Sequence, residues 1–327
     1  MARLEIAVIG AGRIGQIHAR NVAAHPNARL AGIADPDGAA AARLAQATGS
    51  AVIALDAAFA ADAIMICSPT TTHADYIGRA AAAGKPTFCE KPIDLSVEQV
   101  RACLDAVRRA GIPLMIGFNR RFDTHFAALK RRLDDGEIGA LELATIISRD
   151  PAPPPLDYIA TSGGLFRDMM IHDLDLARYF LGEEPAEVFA AASALVDPAI
   201  GRAGDVDTAV VTLKTAHGRL CQISNSRRAT YGYDQRIELH GSKGLLRAGN
   251  VTATTVEIAD GGGFRTDPAL PFFLKRYAAA YRAELDAFVT AVLGGTAPKP
   301  DGEDGLRALM LADAATDSAH TGRPVRL

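Results

Sequence analysis

The chain has 327 residues, of which 49% are hydrophobic, and a formal net charge of −3. That length favours two domains with sizeable cores, and the weak charge gives no reason to expect nucleic acid or an anionic membrane as a partner. There is no uncharged run of about 20 residues for a membrane helix, no basic-then-apolar leader, and no CxxC pair or metal-ligand spacing among Cys67, Cys89, Cys103 and Cys221, so the expectation is a soluble cytoplasmic protein with free thiols and no metal.

LEIAVIG (4–10) reads as a strand and RIGQIHARNVAA (13–24) as a helix. Between them, Gly10-Ala11-Gly12-Arg13-Ile14-Gly15 fits GxGxxG in the context that pattern needs, a strand before and a helix after. Gly10 permits the tight turn, Gly12 lets the backbone approach a pyrophosphate, and Gly15 lets helix and strand pack closely. The helix N-terminus then offers N–H groups and partial positive charge to the anion. RLAGIAD (29–35) is a second strand, and a helix from about Asp37 to Thr48 stops at Gly49. Asp35 either accepts hydrogen bonds from both ribose hydroxyls of an adenosine or caps that helix. No Arg or Lys follows directly in Asp35-Pro36-Asp37-Gly38, so NAD is expected over NADP.

AIMICSP (63–69) is a continuous apolar run, as for a strand buried on both faces. The loop Ser68-Pro69-Thr70-Thr71-Thr72-His73 follows it, at the strand ends where open parallel sheets bind ligands. His73 can touch a cofactor there or make local hydrogen bonds. PTFCEKP (86–92) is another strand, ending in Glu90-Lys91-Pro92; proline restricts the residue before it, which fixes where the Lys91 ammonium points. Ser96 and Gln99 form a capping box for the helix 96–111, and PLMIGF (113–118) closes the alternation. The pattern predicts a doubly wound parallel sheet of Rossmann type over residues 1–119.

After residue 120 a helix near 122–135 precedes the strand LELATIISR (141–149). GGLFRDMMIHDLD (163–175) reads as the start of an α-helix in which Asp168, His172 and Asp175 form one polar stripe. Met169, Leu176 and Phe180 would anchor it in a core, while Gly163-Gly164 would let a neighbour approach closely. Successive long strands joined by short turns then predict a mostly antiparallel sheet, and helices near 272–293 and 303–319 finish a second domain spanning 120–327. The Asp168/His172 pair has a bland reading, a weak surface ion pair, and a chemical one, in which imidazole acts as general base with a carboxylate beside it.

In this order, the glycine loop, the Ser68 to His73 loop, Glu90-Lys91-Pro92 and Asp168-x-x-x-His172 resemble the glucose–fructose oxidoreductase / inositol dehydrogenase family, over essentially the whole chain. Gly117-Phe118-Asn119-Arg120-Arg121-Phe122-Asp123, Ser148-Arg149-Asp150-Pro151, Tyr231-Gly232-Tyr233-Asp234-Gln235 and Gly302-Glu303-Asp304-Gly305 resemble its myo-inositol-oxidising branch. The resemblance implies NAD-dependent oxidation of a cyclic polyol or sugar, myo-inositol at C2 in the first place. It maps His172 onto the general base, Asp168 onto its orienting partner, and Lys91 onto the ligand of the reacting hydroxyl. Cofactor contacts are expected from Gly10, Gly12, Arg13, Ile14, Gly15 and Asp35, and from Ser68, Thr70, His73, Glu90 and Lys91. Substrate contacts are expected from Asn119, Arg120, Asp150, Tyr231 and Tyr233, although Tyr233 can instead bury its ring. An N-terminal Rossmann domain, a C-terminal α/β domain with a large, mostly antiparallel open sheet, and a homotetramer assembled through those sheets are implied as well. The alternatives are a scyllo-inositol or other sugar dehydrogenase, an NAD-dependent glycosidase, and an NAD-binding regulator without turnover.

Overall fold

The computed structural model describes residues 3–327. The chain begins β1 (Leu4–Ile9), α1 (Arg13–Ala24), β2 (Ala28–Ala34), α2 (Gly38–Thr48), a single turn α3 (Leu55–Ala58), β3 (Ala63–Ile66), α4 (His73–Ala82), β4 (Thr87–Cys89), α5 (Val97–Ala110) and β5 (Leu114–Ile116). It continues with α6 (Thr124–Asp134), β6 (Leu141–Arg149), α7 (Leu156–Ser162), α8 (Ile171–Leu181), β7 (Pro185–Ser193), α9 (Pro198–Arg202), β8 (Thr208–Thr215), β9 (Leu220–Ser226), β10 (Asp234–Gly241) and β11 (Gly244–Ala248). A hairpin β12 (Glu257–Asp260) and β13 (Gly263–Thr266), then α10 (Phe273–Arg276), α11 (Ala278–Gly294), α12 (Gly302–Thr321) and β14 (Val325–Arg326) complete it.

Two compact units result. The first holds 3–122 and 280–309, the second 123–279 and 310–327. The sequence predicts a single boundary at 119/120, whereas the segment 280–309 packs with the first unit. The reason is apolar burial: Leu285, Phe288 and Val289 of α11 join the core formed by Ile6, Val8, Ile33 and Met65. The Gly302-to-Gly305 motif has a packing role in the same unit. A Cβ at Gly302 would lie 2.3 Å from Leu104 Cδ2, and one at Gly305 2.9 Å from Ile93 Cδ1.

In the first unit, parallel strands run in the order β2-β1-β3-β4-β5, the doubly wound arrangement. All four residues of β3 are buried, which explains its unbroken apolar run. The predicted punctuation is present. Asp37 caps α2 through the N–H groups of Ala39 and Ala40, Ser96 caps α5 through Gln99 N–H, and Gly49 and Gly111 end their helices in the left-handed region.

The second unit is built on a seven-stranded sheet ordered β11-β10-β6-β9-β8-β7-β14, antiparallel except for the β6–β9 pair. Its strands alternate buried and exposed residues, as β8 shows most regularly, so one face is covered and the other open. The cross-strand register puts Leu245, Leu143, Leu220, Phe189 and Val210 all on the open face, with Leu143 and Leu220 directly paired. Each is about 40% exposed or more, in the range 39–48%.

Asp207 illustrates how the loops above this sheet are fixed. Burial alone would push its carboxyl up, but the N–H groups of Asp197, Leu195 and Val196 and the Thr208 hydroxyl donate to it and hold it below the ordinary carboxylate range. A lowered folded-state value gives stabilisation that is complete above the unfolded value, about 3.9, and is lost as pH falls through the folded one. Asp207→Asn should therefore lower the unfolding free energy by about 2 kcal/mol at neutral pH. In melts at successively lower pH, parent and variant should begin to converge as pH falls below about 4, and meet only below the folded-state value.

Candidate active site

In the first unit the glycine loop has the geometry its pattern requires. Gly10 has φ +107°, and a Cβ there would lie 2.6 Å from the Cys67 carbonyl carbon. A Cβ on Gly15 would lie 1.9 Å from Gly10 O. Gly12 is the opposite case: a Cβ would meet nothing within 4 Å. No side chain caps α1 and no acidic residue occupies its first turn. Space and partial positive charge thus coincide where a pyrophosphate would lie, and the loop fits a dinucleotide.

Asp35 is tied to this loop. Ala11 N–H donates to its Oδ2 at 2.6 Å and Asp37 N–H to its Oδ1 at 2.7 Å. Since Asp37 performs the capping of α2, the helix-cap alternative for Asp35 is removed. Each Asp35 oxygen keeps acceptor capacity for a ribose hydroxyl.

The Ser68 loop folds as a 3₁₀ turn over Thr70–Thr72, with Ser68 Oγ 2.6 Å from Thr72 Oγ1. His73, expected among the cofactor contacts, is corrected here. Its ring is 1% exposed, with Nδ1 2.7 Å from Pro92 O and Nε2 2.7 Å from Ser68 O. Burial lowers its pKa, against the pull of both carbonyls. The ring is therefore an internal tie between the Ser68 loop and the Lys91-Pro92 segment, whose peptide is cis.

Glu90 also points inward. Its Oε1 lies 2.7 Å from His18 Nε2, in the middle of α1. Glu284 of α11 is wholly buried beside them, its Oε1 3.9 Å from the same nitrogen. These three side chains lie close enough together to hold an ion. The His18 nitrogen, however, is already committed to Glu90 at hydrogen-bond distance, closer than two ligands of one ion stand. Burial, followed by the charge of Glu90, pushes the Glu284 carboxyl well above the ordinary carboxylate range, which disfavours the anionic form an ion would need. Neither His18 nor Glu284 was identifiable as part of this cluster from spacing, because they are separated by most of the chain.

In the second unit the Asp168 segment departs from the predicted α-helix. Leu165–Met170 forms a π-helical turn, and α8 begins only at Ile171. The wider turn changes which residues align, and π-turns of this kind are frequent at functional sites. Asp168 and His172 remain partly accessible, but Asp175 is 1% exposed and lies 3.8 Å from Arg178. The polar stripe therefore loses its third member. Met169, Leu176 and Phe180 are buried as the sequence predicts. Asp168 Oδ1 accepts a hydrogen bond from Tyr158 OH at 3.0 Å. The Gly163-Gly164 pair, both at positive φ, admits Asp205: a Cβ on Gly164 would lie 2.6 Å from Asp205 Oδ1. That oxygen accepts the N–H of Leu165 at the start of the π-turn, at 3.0 Å.

Comparison with known proteins matches both parts of the chain to one family. Residues 4–118 match the NAD-binding Rossmann fold of an oxidoreductase family, and residues 130–327 match the C-terminal alpha/beta domain of the same family. The chain belongs to the glucose–fructose oxidoreductase / inositol dehydrogenase family. An inositol 2-dehydrogenase of Rhizobium meliloti is 54% identical over 98% of both chains. A crystal structure of a myo-inositol dehydrogenase from Corynebacterium glutamicum is 50% identical, with a TM-score of 0.96 over 99% of each chain. A scyllo-inositol dehydrogenase from Lactobacillus casei, solved with NAD(H) and scyllo-inositol, is 30% identical, with a TM-score of 0.92 over 99% of each chain.

The residues expected to serve this family member as substrate contacts are placed unevenly. Asn119 and Arg120 lie in a buried 3₁₀ turn of the first unit, at 3% and 4% exposure. Asp150 follows β6, its N–H bound to Ser226 O. Tyr231 is half-exposed, but its hydroxyl donates to Asp234 Oδ2 and accepts from Arg149 Nη1. Tyr233 is corrected: it is 5% exposed and packs edge-on against Tyr277, so its ring belongs to the core. Among the described residues no helix is long and apolar enough to cross a membrane.

Proposed function

We propose that the protein oxidises myo-inositol at C2 to 2-keto-myo-inositol, with NAD as cofactor. The observation that carries this reading is end-to-end similarity to an inositol 2-dehydrogenase, 54% identical over 98% of both chains. When bound, the nicotinamide supplies the hydride acceptor, and the protein supplies orientation and proton handling. His172 removes the hydroxyl proton as general base. Asp168 orients the ring and stabilises the imidazolium, and Lys91 binds the reacting hydroxyl and stabilises negative charge on its oxygen. Asn119, Arg120, Asp150 and Tyr231 contribute to polyol recognition. Cofactor binding belongs to residues 1–119, with Gly10, Gly12, Arg13, Ile14, Gly15, Asp35, Ser68, Thr70 and Lys91 in contact and Glu90 and His73 acting from behind. Substrate binding and oligomerisation belong to 120–327.

A homotetramer through the open sheets is supported by the exposed apolar side chains of that face, the register pair Leu143 and Leu220 with Leu245, Phe189 and Val210, which a second copy would cover. A cytoplasmic location is supported by four cysteines that are all free.

A second reading, scyllo-inositol as substrate, is favoured by likeness to the Lactobacillus casei enzyme. NADH formation should be followed with myo-inositol, scyllo-inositol, glucose and a nitrophenyl glycoside, using NAD and NADP in parallel. Myo-inositol with NAD should give the highest kcat/KM, and NADP should be the poorer cofactor because the Asp35 carboxylate repels a 2′-phosphate. Cleavage of the glycoside without any polyol oxidation would sink the dehydrogenase reading. Equal use of both cofactors would sink the role given to Asp35.

A further inference from the structure

Behind Asp168 lies a charged group that no motif singled out. Arg227 follows β9 directly and is 1% exposed, among the largest fully buried side chains of the described residues. Its Nη2 is 3.7 Å from Asp168 Oδ2 and 3.9 Å from Asp205 Oδ2. Neither Nε nor Nη2 of Arg227 has a hydrogen-bond partner, and neither has Asp205 Oδ2. A buried guanidinium is costly unless carboxylates compensate it, and it holds them strongly in return. The Arg227 backbone is itself fixed, since its N–H donates to Asp207 O at 2.8 Å.

The three charges connect three loops. Asp205 caps the π-turn through Leu165 N–H, and Gly164 leaves the space for it. Asp168 stands within that turn, with Oδ1 receiving Tyr158 OH and Oδ2 facing Arg227. One carboxylate oxygen thus accepts a hydrogen bond from Tyr158, while the other faces the buried guanidinium at ion-pair distance.

We propose that Arg227 is the positioning residue for Asp168, acting with Asp205 to lock the carboxylate in the geometry the reaction uses. This rests on the reading that Asp168 takes part in that reaction. At 1% exposure Arg227 is withdrawn from any ligand that reaches the protein surface. Its effect is exerted through the carboxylate, and a misplacement of about 1 Å at a catalytic group can cost about 100-fold in rate.

The test compares Arg227→Met, Arg227→Lys, Asp205→Asn, Asp168→Asn and the double variant Asp168→Asn/Arg227→Met, all as full-length protein. For each, kcat and KM for the polyol, Kd for NAD by calorimetry, and thermal midpoint are measured. Arg227→Met should lose about 100-fold in kcat with NAD affinity within about twofold of the parent, and Arg227→Lys should recover about tenfold of that loss. The double variant should be no slower than Asp168→Asn alone, because the two residues act as one unit. Additive losses, or a kcat for folded Arg227→Met within about threefold of the parent, would overturn the proposal. Equal loss in the Met and Lys variants, with NAD affinity falling in step, would mark Arg227 as merely structural and overturn it as well. If Arg227→Met does not fold, Asp205→Asn decides. Its amide oxygen can still cap Leu165 but its charge is gone, so a tenfold drop in kcat with KM unchanged is expected, and parental kcat would refute the proposal. Full activity in Asp168→Asn would instead bring down the assignment of Asp168, and the proposal with it.

Discussion

His172→Ala should lower kcat for polyol oxidation by about a thousandfold while leaving Kd for NAD within about twofold of the parent. The size follows from general-base catalysis, which contributes about 10²–10⁴-fold when the base is positioned. The selectivity follows from where the groups sit. The glycine loop, Asp35 and the helix N-terminus that fit a dinucleotide all belong to the first unit, whereas His172 is on α8 of the second. Removing the ring should not unfold α8, because Ile171, Leu174, Leu176 and Ala177, each 1% exposed or less, carry its packing. Steady-state rates, an NAD titration and a thermal melt on one preparation separate the outcomes. A fall in NAD affinity parallel to the fall in rate would mean that the helix, not the base, had been damaged.

The legible parts of the chain were those whose physics is local. Gly10, Gly12 and Gly15 punctuate a strand–helix junction, Asp37 and Ser96 cap helices, and Gly49 and Gly111 stop them; each acts within a few residues of itself. Apolar runs marked the parallel strands, and long runs joined by short turns marked the mostly antiparallel sheet, whose open face only the resemblance implied. The π-turn at Leu165–Met170 was hidden because i→i+5 bonding leaves no distinct spacing in an apolar segment that also fits an α-helix. Arg227 and Asp205 were invisible for a different reason: they meet Asp168 only through the fold, at separations of 59 and 37 residues. Glu284 and His18 are the extreme case, joined only because the apolar face of α11 returns to the first unit. The exposed hairpin β12–β13 carries no buried face, so hydrophobic patterning gave no signal for it. Asp175 shares the helical spacing of Asp168 and His172 but is buried beside Arg178, and Tyr233 takes the core position that was the alternative to substrate contact; spacing alone does not report burial.

Gly15→Ala should abolish measurable NAD binding and destabilise the protein by about 3 kcal/mol, whereas Gly12→Ala should weaken NAD binding about 100-fold with the thermal midpoint nearly unchanged. The contrast comes from what each new methyl group would meet. At Gly15 it would lie 1.9 Å from Gly10 O, a backbone atom that has no rotamer with which to retreat. Gly10 cannot move away, since it is held at φ +107° against the Cys67 carbonyl and its N–H is bonded to Ala34 O at 2.8 Å. The methyl therefore forces α1 off β1, which disturbs the core beneath it and withdraws the helix N-terminus from the phosphate position. At Gly12 the backbone already has φ −68°, which alanine adopts without strain, and the methyl would project into open space. That space is the room a pyrophosphate needs, so only the ligand is displaced. Calorimetric titration of NAD and thermal unfolding of both variants read the two quantities separately. A Gly12→Ala protein that binds NAD as the parent does would show that the phosphates approach elsewhere. Equal destabilisation by both changes would mean that Gly15 has no special part in joining helix to strand.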